Sequence, residues 1–148
     1  MIILVAEDEA MVAFALEWAL RAAGHEVLGP AFTIDEALRA VREKKPDLAL
    51  VNLDLQGGED GSGLAMELLL SHDTPTILVT EDAERGRASR GLTLGLIKKP
   101  YDAEMIPAII GYLGELQQGR QPERVPPQLE MFQQRMLVTR VGRSSGSR

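Results

Sequence analysis

Short apolar runs that alternate with longer amphipathic segments are the feature that most constrains the fold of this chain. The runs IILVA (2–6), LALV (48–51) and TILV (76–79) are apolar at successive positions, so each predicts a strand that is covered on both faces. Weaker runs, EVLGPA (26–31) and GLI (95–97), complete a set of five. Because segments with apolar residues at helical spacing separate these runs, the sequence predicts a parallel sheet between two layers of helices.

Five helices are predicted around these strands, at residues 10–23, from Thr33 to before Pro46, around Leu64 to Leu69, at 82–93 and at 102–118. Thr33 with Glu36 three positions later has the pattern of a capping box. The segment 82–93 is rich in charge and glycine and is expected to be the least stable helix. Pro107 is expected to bend or delay the first turn of the last one. Trp18, the only tryptophan, is interpreted as a packing residue.

Composition excludes several classes of protein. The 148 residues suit one domain with an extension. No apolar run approaches the roughly 18 residues of a membrane span, and the first residues lack the features of a signal peptide, so a cytoplasmic protein is expected. The absence of cysteine rules out disulfides, thiolate metal sites and cysteine nucleophiles.

The composition changes after Gly119, where the prolines of RQPERVPP indicate a linker. The sequence therefore predicts one domain over 1–118, followed by a proline-containing linker and a short helical or disordered tail over 119–148. The apolar residues of the tail have helical spacing, and they are Leu129, Phe132, Met136 and Leu137. The tail is interpreted either as a segment without chemistry or as a docking helix for a partner or a second copy of the chain.

Charge is uneven along the chain. Residues 119–148 hold six Arg and two Glu, whereas the whole chain has a net charge of −6. The body is therefore acidic, and an acidic body is a poor binder of phosphate backbones. Direct nucleic-acid binding by the body is not expected.

Polar side chains end four of the predicted strands. In an open parallel sheet, ligands bind beyond the carboxyl ends of the strands, so these side chains form the candidate site. They are Glu7, Asp8 and Glu9 after the first strand, Asn52 and Asp54 after the third, Thr80 after the fourth, and Lys98 and Lys99 after the fifth.

Two interpretations of the acids remain open from the residues alone. A nucleotide site is disfavoured, because phosphates need backbone donors rather than carboxylates after the first strand. Neighbouring carboxylates stay ionised together when a hard divalent cation such as Mg²⁺ compensates their repulsion. They are also common at the start of a helix, where they meet the positive end of its dipole.

The combination of these residues resembles the receiver domain of bacterial response regulators. The matching features are Glu7-Asp8, the PDLALV strand (46–51) with its polar end, Thr80, and Lys99-Pro100 followed by Tyr101. The resemblance covers residues 1 to about 118. It implies a doubly wound, flavodoxin-like sheet of five parallel strands in the order 2-1-3-4-5.

The resemblance also implies a role in a two-component phosphorelay. In this family a histidine kinase or phosphotransfer protein gives a phosphoryl group to an aspartate at the end of the third strand, and the domain signals by protein contact, not as an enzyme. Mg²⁺ is held by acids matching Glu7 and Asp8 and by the backbone carbonyl matching Asp54, while Lys99 and Thr80 contact the phosphoryl oxygens. Pro100 is implied to follow a cis peptide bond. The output protein is unspecified, and a homodimer is one option.

Three residues depart from the family pattern. Asn52 occupies the phosphoacceptor position, and a carboxamide is a very weak nucleophile that carries no charge for the metal. Leu96 stands where the family usually has a switching aromatic residue. Glu7 replaces a more usual aspartate, so metal binding is expected to be weakened rather than abolished.

The departures leave several hypotheses open. The chain is a stand-alone receiver working through phosphorylation, a degenerate receiver acting as a phosphorylation-independent binding module, or a Mg²⁺-dependent phosphohydrolase. Asp54 is the alternative phosphoacceptor, although two residues along a strand span roughly 6.5 Å. Whether Asn52 is natural or introduced is open from one sequence.

Overall fold

The fold is known from a computed structural model that describes residues 1–132. Its centre is a six-stranded sheet in the order β2-β1-β3-β4-β5-β6. The strands are β1 (Ile2–Ala6), β2 (Glu26–Ala31), β3 (Leu48–Asn52), β4 (Thr76–Thr80), β5 (Gly95–Lys98) and β6 (Leu129–Met131). The first five strands pair in parallel with one another, so the predicted doubly wound sheet in the order 2-1-3-4-5 is confirmed.

The apolar strands are buried on both faces, as their composition predicts. Every residue of β3 and β4 is buried. Because successive side chains of a strand point to opposite faces, Ile3 and Val5 join one core cluster while Leu4 joins the other. The sheet thus separates two apolar cores, each covered by helices.

The helices are α1 (Ala10–Ala22), α2 (Ile34–Glu43), α3 (Gly61–His72), α4 (Ala83–Arg87) and α5 (Ile106–Gln117). At the start of α2 the Glu36 N–H donates to Thr33 Oγ1 at 3.1 Å, which confirms Thr33 as the N-cap. The return bond of the predicted capping box differs from the standard pattern, because Glu36 Oε1 accepts from the N–H of Phe32, at 3.0 Å, instead of from that of Thr33. A 3₁₀ turn at Ala103–Met105 precedes α5. Pro107 lies in the first turn of that helix, where its missing N–H costs nothing.

Two predictions about the helices need correction, namely the length of the fourth helix and the packing role of Trp18 on the first. The helix expected over 82–93 is only five residues long, because a short segment of charge and glycine cannot propagate a helix on its own propensity. Trp18 is 75% exposed on α1 and is not a packing residue. Within residues 1–132, no helix is long and apolar enough to cross a bilayer.

The start of the tail is a strand rather than a helix. β6 pairs antiparallel with β5, in a register that places Leu129 opposite Ile97 and Met131 opposite Gly95. The helical spacing expected from Leu129 onward is therefore wrong at its beginning, because the open edge of β5 offers a ladder of backbone partners that an isolated segment lacks. Met136 and Leu137 lie outside the described residues. The division into 1–118 and 119–148 stays a prediction.

Candidate functional site

The register of β1 and β3 brings the first acids and residue 52 to the same edge of the sheet. Ala6 lies opposite Val51, so Glu7 and Asn52 follow side by side. The two residues are nearly inaccessible to solvent, at 2% and 5% exposure. Such burial of polar groups is tolerated only when they are hydrogen-bonded.

Asn52 donates hydrogen bonds to both of the acids that directly follow β1, Glu7 and Asp8, through one amide group. Its Nδ2 donates to Glu7 Oε2 at 2.9 Å and to Asp8 Oδ1 at 3.3 Å. Its Oδ1 lies 3.4 Å from the backbone nitrogen of Asp54. The carboxamide is therefore part of the polar network, as a donor that a carboxylate at this position could not be.

Lys99 supplies the positive charge of the site. Its Nζ lies 2.7 Å from Glu7 Oε1 and 3.5 Å from Glu9 Oε1. Burial acts to lower the pKa of Lys99, but the hydrogen bond and the charge of Glu7, helped by Glu9, outweigh burial and raise the pKa above its ordinary value. Lys99 thus stays protonated and bound to the acids.

The backbone of residue 52 is held by a close contact with α3. A Cβ added to Gly61 would lie 2.1 Å from the carbonyl oxygen of Asn52, a separation that only glycine allows. The Gly61 N–H also donates to the Leu53 carbonyl at 2.7 Å. The glycine at 61 therefore fixes how closely α3 approaches the site.

Thr80 and Leu96 lie beside the site and beneath α4. The Thr80 hydroxyl accepts from the Asp82 N–H at 2.9 Å, and its carbonyl accepts from the Lys99 N–H at 2.8 Å. Leu96 is 2% exposed and belongs to the core cluster on the α4 side of the sheet. The Lys99–Pro100 peptide bond is cis.

Asp54 is directed to a different partner. Its carboxylate oxygen lies 2.9 Å from Arg85 Nη1 on α4, and its side chain is 73% exposed. Arg85 also lies 3.8 Å from Asp60. Among the predicted site residues, the structure brings Glu7, Asp8, Asn52 and Lys99 into one network and pairs the Asp54 carboxylate with α4 instead.

The donor set is a poor fit for Mg²⁺. Glu7 is already bound by Lys99 and Asn52, and Asn52 presents its N–H donors to the two carboxylates. Mg²⁺ requires oxygen ligands at about 2.0–2.1 Å in octahedral geometry. Over the described part of the chain, no group of three or more His, Cys, Asp or Glu side chains is arranged to hold a metal ion.

Two contributors to the site were not predicted to have a role in it. Glu9 is one of the acids at the end of the first predicted strand, but the family resemblance assigns no role to it. Arg85 could not have been found from the sequence. It is 31 positions from Asp54, and it belongs to a charge-rich segment with three arginines, any of which could have been the partner of Asp54. Tyr101, beside Lys99, has its pKa raised to about 12 by burial and by the charges of Glu7 and Glu9.

Comparison with known proteins identifies the family. The model of the response regulator receiver domain matches residues 3–111. The phyllosphere-induced regulator PhyR of Methylorubrum extorquens is 34% identical over 110 residues, which are 73% of this chain and 41% of that protein. The transcriptional regulatory protein PdtaR of Mycobacterium tuberculosis is 31% identical over 111 residues, which are 72% of this chain and 54% of that protein.

A solved structure agrees with these relatives. The response regulator PhyR from Brucella abortus superposes with a TM-score of 0.67 at 30% identity, over 79% of this chain and 50% of that one. The chain spans about half the length of the relatives it matches, or somewhat less. With its sheet order and the family match over residues 3–111, this chain belongs to the receiver domains of two-component response regulators, which are signalling modules rather than enzymes.

Proposed function

We propose that this receiver domain signals by protein contact without forming an aspartyl phosphate, either at position 52, which is asparagine, or at Asp54. The observation that carries the proposal is the hydrogen bonding of the Asn52 amide to both Glu7 and Asp8. A carboxamide in that place offers no carboxylate nucleophile. Instead, the geometry supports a single conformation of the site, in which hydrogen bonds and ion pairs join the polar groups of Glu7, Asp8, Asn52 and Lys99.

Two departures of the geometry from a phosphoacceptor site support this proposal. Lys99 is bound to Glu7 at 2.7 Å, so its ammonium is not free to receive a phosphoryl oxygen until that pair opens. The donors of Asn52 face the carboxylates with which a magnesium ion would interact. Weakened Mg²⁺ binding, through Glu7, Asp8 and the backbone carbonyl of Asp54, is therefore part of the proposal.

Proteins are the proposed partners. A histidine kinase or phosphotransfer protein is the proposed input partner, and an output protein or a second copy of the chain is the proposed recipient. Exposed apolar side chains on α1 support such contacts, because a patch of large apolar side chains on a protein surface indicates a site that a partner protein covers. They are Met11, Phe14 and Trp18, exposed by 84%, 53% and 75%. A cytoplasmic location is proposed with this role.

Labelling with a small phosphodonor tests the proposal. The wild-type chain, incubated with acetyl phosphate and Mg²⁺, is expected to gain no phosphoryl mass by intact-protein mass spectrometry. The Asn52→Asp variant is expected to gain one phosphoryl group if Thr80 and Lys99 have the roles that the family resemblance implies. Wild-type labelling that disappears in an Asp54→Asn variant would assign phosphorylation to Asp54 and overturn the proposal.

A further inference from the structure

The edge strand β6 is held to the domain by contacts on both faces of the sheet. Leu129 is buried in one core cluster, and Phe132 packs against the other. The Phe132 N–H donates to the Leu94 carbonyl at 2.7 Å. Residues 129–132 therefore combine backbone pairing with alternating side-chain contacts, which is how a bound peptide extends a sheet.

Gly95 on β5 makes room for this strand. A Cβ added there would lie 2.2 Å from the Glu130 carbonyl oxygen, and the three nearest atoms all belong to the backbone of Glu130 and Met131. Gly95 has no positive φ to explain its identity. The glycine is thus accounted for by the close approach of β6.

A short helix links the strand to the functional site. Two nitrogens of Arg87 on α4 bind the two carboxylate oxygens of Glu130, at 2.7 and 2.8 Å. Two residues earlier on the same helix, Arg85 binds Asp54 and Asp60. Between them, a Cβ added to Gly86 would lie 2.8 Å from Leu96 Cδ2 and 3.3 Å from Thr80 Cγ2.

The length of α4 makes these contacts decisive for its order. A five-residue helix is far below the roughly 12–15 residues at which an isolated helix becomes marginally stable. Its position must therefore come from its neighbours, which are β6 through Arg87, the site loop through Arg85, and β4 and β5 beneath Gly86. A change at β6 or at the site loop removes part of the support of the whole helix.

From these contacts we infer that residues 129–132 are an intramolecular ligand of the β5 edge, and that α4 couples their docking to the Asp54 side of the functional site. An extended partner segment with apolar residues around an acid can compete for the same edge. Its binding displaces β6 and is felt at Asp54 and Asp60 through α4. The inference does not depend on whether position 52 is phosphorylated.

Hydrogen–deuterium exchange on the full chain tests the docking. In the wild type, the amides of residues 129–132 are expected to be protected. Gly95→Ala is expected to abolish that protection and to speed exchange at Gly86 of α4 and at Ala88, the residue that caps its C-terminus, while β3 stays protected. Gly91→Ala is the matched control, since nothing lies within 4 Å of the Cβ it adds. Unchanged exchange at 129–132 in Gly95→Ala would overturn the docking.

Charge variants test the coupling and do not rely on a clash. Arg87→Glu and Glu130→Arg are each expected to raise exchange at 129–132 and in α4, by roughly two- to fivefold for a surface pair, and the double variant is expected to restore protection. Arg85→Gln touches no residue of β6 and is expected to raise exchange at 129–132 as well, because coupling between two sites is reciprocal. An amide exchange rate at 129–132 that is unchanged in Arg85→Gln would refute the coupling.

Discussion

Lys99 Nζ lies 2.7 Å from Glu7 Oε1, and both side chains are almost fully buried, at 9% and 3% exposure. The other oxygen of the same carboxylate accepts a hydrogen bond from Asn52. A buried ion pair is tolerated when its remaining hydrogen-bonding groups are also satisfied. The pair and the amide together make a closed network from residues that the family resemblance assigns to phosphoryl transfer.

Removing the charge of Glu7 is expected to destabilise the fold. Glu7→Gln leaves Lys99 buried with only the more distant Glu9, and we expect a loss of about 2 to 4 kcal/mol in the free energy of unfolding. Urea denaturation measures it. The control is Glu17→Gln, which removes the exposed ion pair with Arg21 and is expected to cost less than about 1 kcal/mol. Equal losses in the two variants would contradict the role of burial.

A methyl group at Gly61 is expected to disturb residue 52 through its backbone. The added Cβ meets the Asn52 carbonyl oxygen at 2.1 Å, so Gly61→Ala is expected to cost about 1–3 kcal/mol, as overpacking does. Gly63→Ala, in the same helix with nothing within 4 Å, is expected to gain about 0.5–1 kcal/mol from helix propensity. Thermal unfolding of both variants compares them, and stabilisation by Gly61→Ala would refute the contact.

Asp60 is expected to make the start of α3 sensitive to acid. The Ser62 N–H and the Ser62 hydroxyl donate to Asp60 Oδ1 at 2.9 and 2.7 Å. These bonds, the backbone one first, and the charge of Arg85 lower the pKa of Asp60 below its ordinary 3.8, against the effect of burial. The unfolded chain therefore binds the proton more readily, so this stabilisation is complete above pH 3.8 and is lost as the pH falls through the folded pKa.

An Asp60→Asn variant isolates that titration, because asparagine keeps a capping oxygen but no charge. The advantage of the wild type over this variant is expected to shrink between about pH 5 and pH 2 in urea denaturation. Asp60→Ala removes the cap and is expected to cost about 1 kcal/mol near neutral pH. A wild-type advantage that stayed constant down to pH 2 would contradict the assignment.

The strands and their order could be predicted because their pattern is local and strong. The strand predicted at 26–31 has the same bounds as β2, Glu26–Ala31. The pair Thr33 and Glu36 also predicted the start of α2 correctly. The meeting of Glu7, Asn52 and Lys99 could be expected too, since the carboxyl ends of parallel strands lie at one edge of a sheet.

What could not be predicted depends on contacts between distant elements. Residues 129–131 form a strand only because β5 has an open edge with a glycine at position 95, and no local pattern in the tail records that edge. Arg85 is assigned to Asp54 by the placement of α4 over the loop after β3. The closer approach of Lys99 to Glu7 than to Glu9 is likewise a matter of side-chain reach, not of spacing along the chain.

Replacing Asn52 by aspartate tests the central claim, that the amide at position 52 occupies the two acids and so weakens Mg²⁺ binding at the site. The variant exchanges two hydrogen-bond donors for a third carboxylate beside Glu7 and Asp8, and like charges at this distance need a cation to remain ionised together. The deciding measurement is a Mg²⁺ titration of both proteins followed by backbone amide chemical shifts. We predict saturable shifts at Asp8, residue 52 and Asp54 in both proteins, with a midpoint at a much lower Mg²⁺ concentration in Asn52→Asp than in the wild type; saturable shifts of equal midpoint in the two proteins would contradict the account.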